Sequence, residues 1–476
     1  MNRSLAALLA LAATACSFAP EYKRPETVTP AEYRFAQPGE ATSVADLPWW
    51  QVFKDPVLQD LIRVALANNQ DLALAAARVD ESRAFVGIAK ADLYPQVSAQ
   101  IDAAYGRPIS RNLNPGASNS GNYSGTANLS WELDLWGRVR NSRDAALADL
   151  LATEDFRRAI ILALVSGVAQ AYLELRELDL ELQISQSNTD TRRGTLDLFE
   201  ARARRGIASD LEVSQARADL AVTMAAIPET ELAIAQKEHQ ICVLLGRAPG
   251  PIPRGSALVD TPIPPQIPLG VPAQLLGRRP DVLAAEQTII GSGKRVGVAV
   301  ANRLPTLSLT AFIGLQGAGG ATLFGSDGLA WNAGGGLFAP IFQGGRLASQ
   351  EDAARAQLEQ SVASYKKAVQ VALQEVADAA AGVRKLREAR VVRTDQVTAS
   401  TRAAKLAVDR YQGGVSSYFE VLDAQRQLFS AQLDLARTQR DELTSFVLLY
   451  RSLGGGWQIE EGQPPPPPPP PPPPAK

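Results

Sequence analysis

Gly206-Ile207-Ala208-Ser209-Asp210-Leu211-Glu212-Val213 returns 208 positions later as Gly414-Val415-Ser416-Ser417-Tyr418-Phe419-Glu420-Val421. Gly137-Arg138 returns as Gly345-Arg346, and Leu245-Gly246 as Leu453-Gly454, at the same spacing. Asp71, Val86-Gly87 and Pro95 reappear as Asp281, Val296-Gly297 and Pro305, 210 positions apart. A period this long, with strand and helix patterns inside each copy, marks a duplicated architectural unit and not a short solenoid repeat. The copies are expected at 49–246 and 273–456, with a proline-rich linker at 247–272.

Working outward from the quoted stretch, each glycine interrupts a long helical pattern. From about Gly345 to Tyr411, residues Leu358, Val362, Tyr365, Val369, Ala372, Val376, Ala379, Val383 and Leu386 recur at alternating steps of three and four, a coiled-coil seam. About 65 residues at 1.5 Å each make a rod of roughly 100 Å. Gly413-Gly414 breaks this rod, and a second amphipathic helix returns to Leu453; the first copy breaks at Gly206 and returns to Leu245. Long helical hairpins are therefore expected at about 137–246 and 345–454, with further helical patterning near Asp55–Leu93 and Ala273–Arg303.

Each hairpin is preceded by two strand patterns of period two. Val97, Ala99, Ile101, Ala103 and Tyr105 alternate with Ser98, Gln100 and Asp102. Tyr123, Gly125, Ala127, Leu129, Trp131 and Leu133 alternate with Ser124, Thr126, Asn128, Ser130 and Glu132. The second copy offers Leu307 to Leu315 and a glycine-rich strand from about Leu329 to Ile341, giving β-hairpins at about 94–136 and 304–343. Ten-residue strands with one apolar face, ending in aromatics such as Tyr105, Trp131 and Trp136, fit a transmembrane barrel with its interfacial girdle.

The amino-terminal residues 1–15 read as an export signal: Arg3 is the positive region, Leu5 to Ala13 the apolar one, and Ala13-Thr14-Ala15 a small-residue cleavage site before Cys16. Cys16 resembles the lipidated cysteine of a bacterial lipobox, and several acyl chains at ~0.8 kcal/mol per buried methylene would hold a membrane stably. Residues 16–48 form a proline-rich leader, and 457–476 a proline-rich tail containing Pro464 to Pro474. Beyond the signal, no uninterrupted apolar stretch approaches the ~18 residues of a transmembrane helix, so any crossing is expected as β-strands.

With Cys16 acylated, Cys242 stands alone and no intramolecular disulfide is expected. A charge of −2, from 48 basic and 50 acidic residues, gives nucleic-acid binding no support. His239 is the single histidine, which excludes multi-histidine metal sites and histidine-based triads. No glycine-rich stretch opens a helix with a phosphate-loop lysine. No enzyme, cofactor or metal is expected.

Four strands cannot close a barrel, since about eight are needed before the interior is even filled. An open sheet in lipid would leave its edges unsatisfied. Three chains would supply twelve strands, and six helical hairpins around a wide bore.

The chain resembles the TolC-like outer-membrane efflux channels, the outer membrane factor family, in the lipoprotein branch that serves tripartite multidrug pumps. The resemblance is carried by Cys16 with Pro20-Glu21-Tyr22-Lys23-Arg24-Pro25, Trp49-Trp50 with Phe53, Asp55-Pro56 and Leu58, and Leu133-Asp134-Leu135-Trp136-Gly137-Arg138. It continues in Arg278-Arg279-Pro280-Asp281-Val282 with Ala285-Glu286, Pro340-Ile341-Phe342 with Gly344-Gly345-Arg346, and Leu422-Asp423-Ala424-Gln425-Arg426. It implies an α+β fold: a homotrimer with a twelve-stranded outer-membrane β-barrel, four strands per chain, an α-helical coiled-coil barrel in the periplasm and a mixed equatorial domain. The implied role is a passive exit duct for drugs or other small toxic compounds. The implied partners are outer-membrane lipids, a periplasmic adaptor and a proton-driven inner-membrane pump of the RND type. A coiled-coil envelope lipoprotein without a pore is the alternative class, and protein secretion or metal export through the same channel are nearer ones.

A conduit of this width must close at one end. Phe419, Asp423 and Arg426 fall at i, i+4 and i+7 just beyond the second break and share one helical face. The resemblance matches these three to the periplasmic constriction of lipoprotein-type members, and Glu420 to a second constriction carboxylate. It also implies a latch between Glu212 and Tyr411, in which Ser416 replaces a related arginine, so that the charged half of the network is expected to be missing.

Overall fold

The computed structural model describes residues 17–30, 33, 43–106, 120–261, 268–270, 272–318, 320–325 and 327–457. The export signal, Cys16, parts of the leader and linker, and the proline run 464–474 lie outside them. The main helices and strands in chain order are α1 (Pro56–Asn68), α2 (Gln70–Ala91), β1 (Gln96–Gly106), β2 (Ser120–Leu133), α3 (Arg138–Arg204) and α4 (Asp210–Leu244). They continue as α5 (Pro280–Ala301), β3 (Thr306–Gly317), β4 (Leu329–Phe338), α6 (Arg346–Gln412) and α7 (Tyr418–Ser452). The duplication is preserved to the residue in three helix pairs: α2 and α5 each have 22 residues, α3 and α6 each 67, α4 and α7 each 35.

The chain divides into two compact units, one of residues 1–26, 77–154 and 284–367, the other of 27–76, 155–283 and 368–476. In the first, the strands form one antiparallel sheet in the order β1-β2-β3-β4. The register places Val97 opposite Leu129, Leu129 opposite Ala311 and Ala311 opposite Ala333, so apolar residues line one face across all four strands. On that face Ile101 is 87% exposed and Trp331 72%. A sheet in water would bury such a face, whereas a lipid-facing wall leaves it outward.

Below the sheet the turn Asp134–Gly137 is built by its own side chains. The Asp134 carboxylate accepts the backbone N–H groups of Val139 and Arg140, satisfying orphan donors at the start of α3. Glu132 pairs with Arg138 at 2.6 Å, and the Trp136 indole donates to the Pro305 carbonyl at 2.6 Å. The leader is fixed in the same unit: Ser17 donates to Asn141, while Tyr22 and Arg24 both donate to Glu286.

In the second unit, the seam positions Val369, Ala372, Val376, Ala379 and Val383 of α6 are all buried. Leu162, Val165, Val168, Ala169, Tyr172 and Leu175 of α3 are buried, as are Ala436, Leu443, Phe446, Val447 and Tyr450 of α7. The sequence holds no uninterrupted apolar run of membrane-spanning length, but α3 contains an 18-residue window apolar enough by composition to cross a membrane, and about half of it is buried within the chain. That apolarity serves packing, since Leu162, Val165, Val168, Ala169 and Leu175 are buried in the core.

The resemblance motifs near Trp49 and Arg279 are structural in the same unit. Asp55 caps α1, with Pro56 at its first position, and also accepts from the Tyr172 hydroxyl and the Ser256 N–H. Buried Arg279 pairs with Asp281 and Glu375 and donates to the Ser452 carbonyl.

Candidate functional site

Both long helices end the same way. Gly206 and Gly414 each have φ +72°, a conformation in which an L side chain is strained, and their flanking amides close matching caps. Ile207 N–H donates to the Arg202 carbonyl at 2.9 Å, and Val415 N–H to the Arg410 carbonyl at 3.1 Å. Beyond α6, which ends at Gln412, Gly413 N–H closes a last turn on the Asp409 carbonyl at 3.0 Å and Gly414 takes the left-handed conformation.

Around the tips, Phe199, Tyr411 and Tyr418 stack into an aromatic cluster. Phe199 lies 4.2 Å from Tyr418 and 5.7 Å from Tyr411, centroid to centroid. Ala216, Ala407, Val421 and Leu422 complete its buried core. Burial, reinforced by the Asp219 carboxylate, pushes the Tyr418 phenol up to about 12. Burial and then Glu212 raise Tyr411 as well, so both phenols stay protonated at neutral pH.

The Tyr411 hydroxyl donates to Glu212 at 3.4 Å. The expectation of a network without a cation is corrected: Arg202 donates to the same hydroxyl at 3.4 Å and its guanidinium lies 5.6 Å from the Tyr411 ring centroid. It stands one turn before the break, on the helix facing Tyr411, where counting from Ser416 could not find it. Glu212 also accepts from Ser209 N–H, closing a capping box at the start of α4.

The residues expected at the constriction separate into two groups. Phe419 is 63% exposed, and Asp423, also exposed, accepts from Gln427 at 2.7 Å. Glu420 approaches Arg410 at 3.8 Å. Arg426 does not stand free beside Asp423: its Nε lies 3.0 Å from the Asp219 carboxylate of α4. The physical reason is that Asp219 is buried and draws counter-charge, from Arg192 of α3 at 3.1 Å and from Arg426. Burial pulls the Arg192 guanidinium below its ordinary range, with Asp219 opposing that pull. Sequence reading missed Arg192, Asp219 and Phe199. The available signal was Asp219 lying two turns after Glu212 on one face of α4.

Cys242 is buried with its thiol 3.3 Å from the Gly250 carbonyl. Among the described residues, no group of three or more histidine, cysteine, aspartate or glutamate side chains could hold a metal ion.

A sequence profile described as outer membrane efflux protein matches residues 61–247 and 271–455, one match in each copy of the duplication. The Toluene efflux pump outer membrane protein TtgC of Pseudomonas putida is 35% identical over 96% of this chain and 97% of its own length. The Cation efflux system protein CusC of Escherichia coli is 33% identical over 94% and 98%. Among solved structures, the open state of the MtrE outer membrane channel of Neisseria gonorrhoeae superposes with a TM-score of 0.84 at 29% identity, covering 93% of this chain and 99% of that one. Matched in both halves and along nearly its whole length, this chain belongs to the outer membrane efflux protein family: it is the outer-membrane exit duct of a tripartite efflux system and has the α+β fold of the trimeric channels, four strands per chain.

Proposed function

We infer that the duct passively carries drugs or other small toxic compounds from the periplasm to the exterior, and that it is gated by Phe419, Glu420, Asp423 and Arg426. The observation that carries this reading is the position of Phe419 and Asp423, exposed on one face of α7 immediately past the break. Around a threefold axis, three such faces would form a narrow apolar and anionic ring. The contact of Glu212 with Tyr411 supports a latch between the two helical hairpins, with Arg202 as its cation.

The functional unit in this reading is a homotrimer, in which twelve strands leave no open edge. It is anchored in outer-membrane lipid through acylated Cys16. Ser17, the next residue, is held beside Asn141 near the turn that ends β2, a position suited to an anchor at the membrane surface. A periplasmic adaptor and a proton-driven inner-membrane pump complete the system and supply the energy. Relatives of similar identity are named for cargoes as different as toluene and cations, which supports assigning selectivity to the pump and not to the duct.

The test is made in cells lacking the native protein. Wild type should restore resistance to exported compounds without admitting a hydrophilic antibiotic too large for porins. Phe419→Ala and Asp423→Ala should admit that antibiotic at equal expression. Full resistance with no added leak in either variant would refute the gate, and failure of wild type to restore any resistance would refute the exit duct.

A further inference from the structure

Resting on the gate reading above, we propose that Asp219 is a releasable clasp that positions the gate helix α7 through Arg426. Asp219 meets cations from two other helices. Arg192 of α3 places Nε 3.1 Å from one carboxylate oxygen and donates through Nη1 to the Asp219 backbone carbonyl at 3.0 Å. Arg426 of α7 places Nε 3.0 Å from the other oxygen.

The two arginines differ in how they could leave. The Arg192 side chain is 3% exposed and the Asp219 side chain 2%, so separating them would strand two buried charges. The Arg426 side chain is 55% exposed, and water can replace Asp219 when it swings outward. Arg192 then still neutralises Asp219. The Arg192–Asp219 pair is thus a fixed post, and Arg426 a hook that can come off it at modest cost.

The hook is on the right helix. Arg426 lies three residues after Asp423 and seven after Phe419 on α7, so holding it fixes the rotation of the face that carries both. The observed state has the hook closed. Release would let α7 turn and would add a cation beside Asp423, changing both the width and the charge of the ring. The other titratable groups beside the clasp are the Tyr418 phenol and, on α7 itself, Asp423, which accepts from the Gln427 amide.

The experiment is single-channel recording of the full trimer in planar bilayers. Asp219→Asn, which keeps shape and removes charge, and Arg426→Gln should each raise the open population about fivefold, with a double variant no more open than either single. Arg426→Lys should recover part of the closed population. Arg437→Gln is the structural control, because Arg437 makes the same kind of contact from α7, to Glu181 at 2.9 Å, away from the tip. It should leave gating unchanged. If Phe419→Ala and Asp423→Ala open the channel but Asp219→Asn and Arg426→Gln do not, the clasp is wrong and the gate stands. If none of the four opens it, the gate reading itself fails and takes the clasp with it. Should Asp219→Asn yield no trimer, Arg426→Gln alone decides. Equal opening by Arg437→Gln would reduce the effect to general loosening and overturn the proposal.

Discussion

At the first helix tip the chain turns through Gly206 at φ +72° and restarts on Ser209, whose hydroxyl accepts from Glu212 N–H. At the second tip Gly414 has the same φ, yet Ser417 makes no side-chain cap, and buried Tyr418 stands where the first copy has exposed Asp210. Arg202 and Glu212 both engage the Tyr411 hydroxyl of the other hairpin, while their counterparts Arg410 and Glu420 face each other. Phe199, Tyr411, Arg192, Asp219 and Arg426 have as counterparts Ala407, Ala203, Ser400, Gln427 and Ala218. Duplication preserved helix length and backbone turn, whereas Phe199, Tyr411, Arg192, Asp219 and Arg426, which tie the two hairpins together, are not repeated at the equivalent positions. A symmetric scaffold therefore carries asymmetric contacts at its tips.

The largest expected asymmetry is in packing. Tyr418→Ala removes a buried aromatic and should cost about 3–5 kcal/mol, whereas Asp210→Ala should stay within about 0.5 kcal/mol. Thermal unfolding of the detergent-solubilised protein compares them, and equal losses would break the distinction. Next comes an acid pair found in the first copy alone. Glu177 is buried against Glu181, with Arg440 at 3.7 Å and Arg437 on Glu181, while its counterpart is the exposed Lys385. Burial, then the neighbouring carboxylate, raises Glu177 to about 7. A raised carboxyl contributes stability that is fully present below about 4.5 and is lost as pH rises through about 7. Glu177→Gln should therefore stabilise by about 2 kcal/mol at pH 8, with the gain vanishing below about pH 4.5. A pH-independent gain would contradict the raised Glu177 carboxyl.

Smaller effects separate backbone from side chain. Nothing lies within 4 Å of a Cβ placed on Gly206 or Gly414, so Gly→Ala at either should cost the left-handed penalty alone, about 1 kcal/mol, and equally. Unequal costs would mean that the tips do not share a backbone. Ser209→Ala should cost about 1 kcal/mol through its capping box and Ser417→Ala a few tenths at most, both readable by thermal unfolding.

Much of this fold was legible because its signals are periodic. The seam from Val369 to Val383 is buried as its three-four spacing requires, and Val97 to Tyr105 form a strand with the expected face. The quoted glycines marked the turns because φ near +72° leaves few other choices. The partners of Arg426 and Tyr411 were not legible. Asp219 lies 207 positions from Arg426, and Arg202 lies 209 from Tyr411, so only the packing of four helices brings them together. Helical spacing places Phe419, Asp423 and Arg426 on one face but cannot say that a buried carboxylate turns Arg426 aside.

Phe419 and its first-copy counterpart Leu211 offer the most direct test that the second copy carries the gate. They are almost equally exposed, at 63% and 66%, and occupy the same position after the turn. Single-channel conductance of the trimer should rise in Phe419→Ala and stay at the wild-type level in Leu211→Ala. A rise in Leu211→Ala equal to or greater than that in Phe419→Ala, or no change in either, would contradict the account.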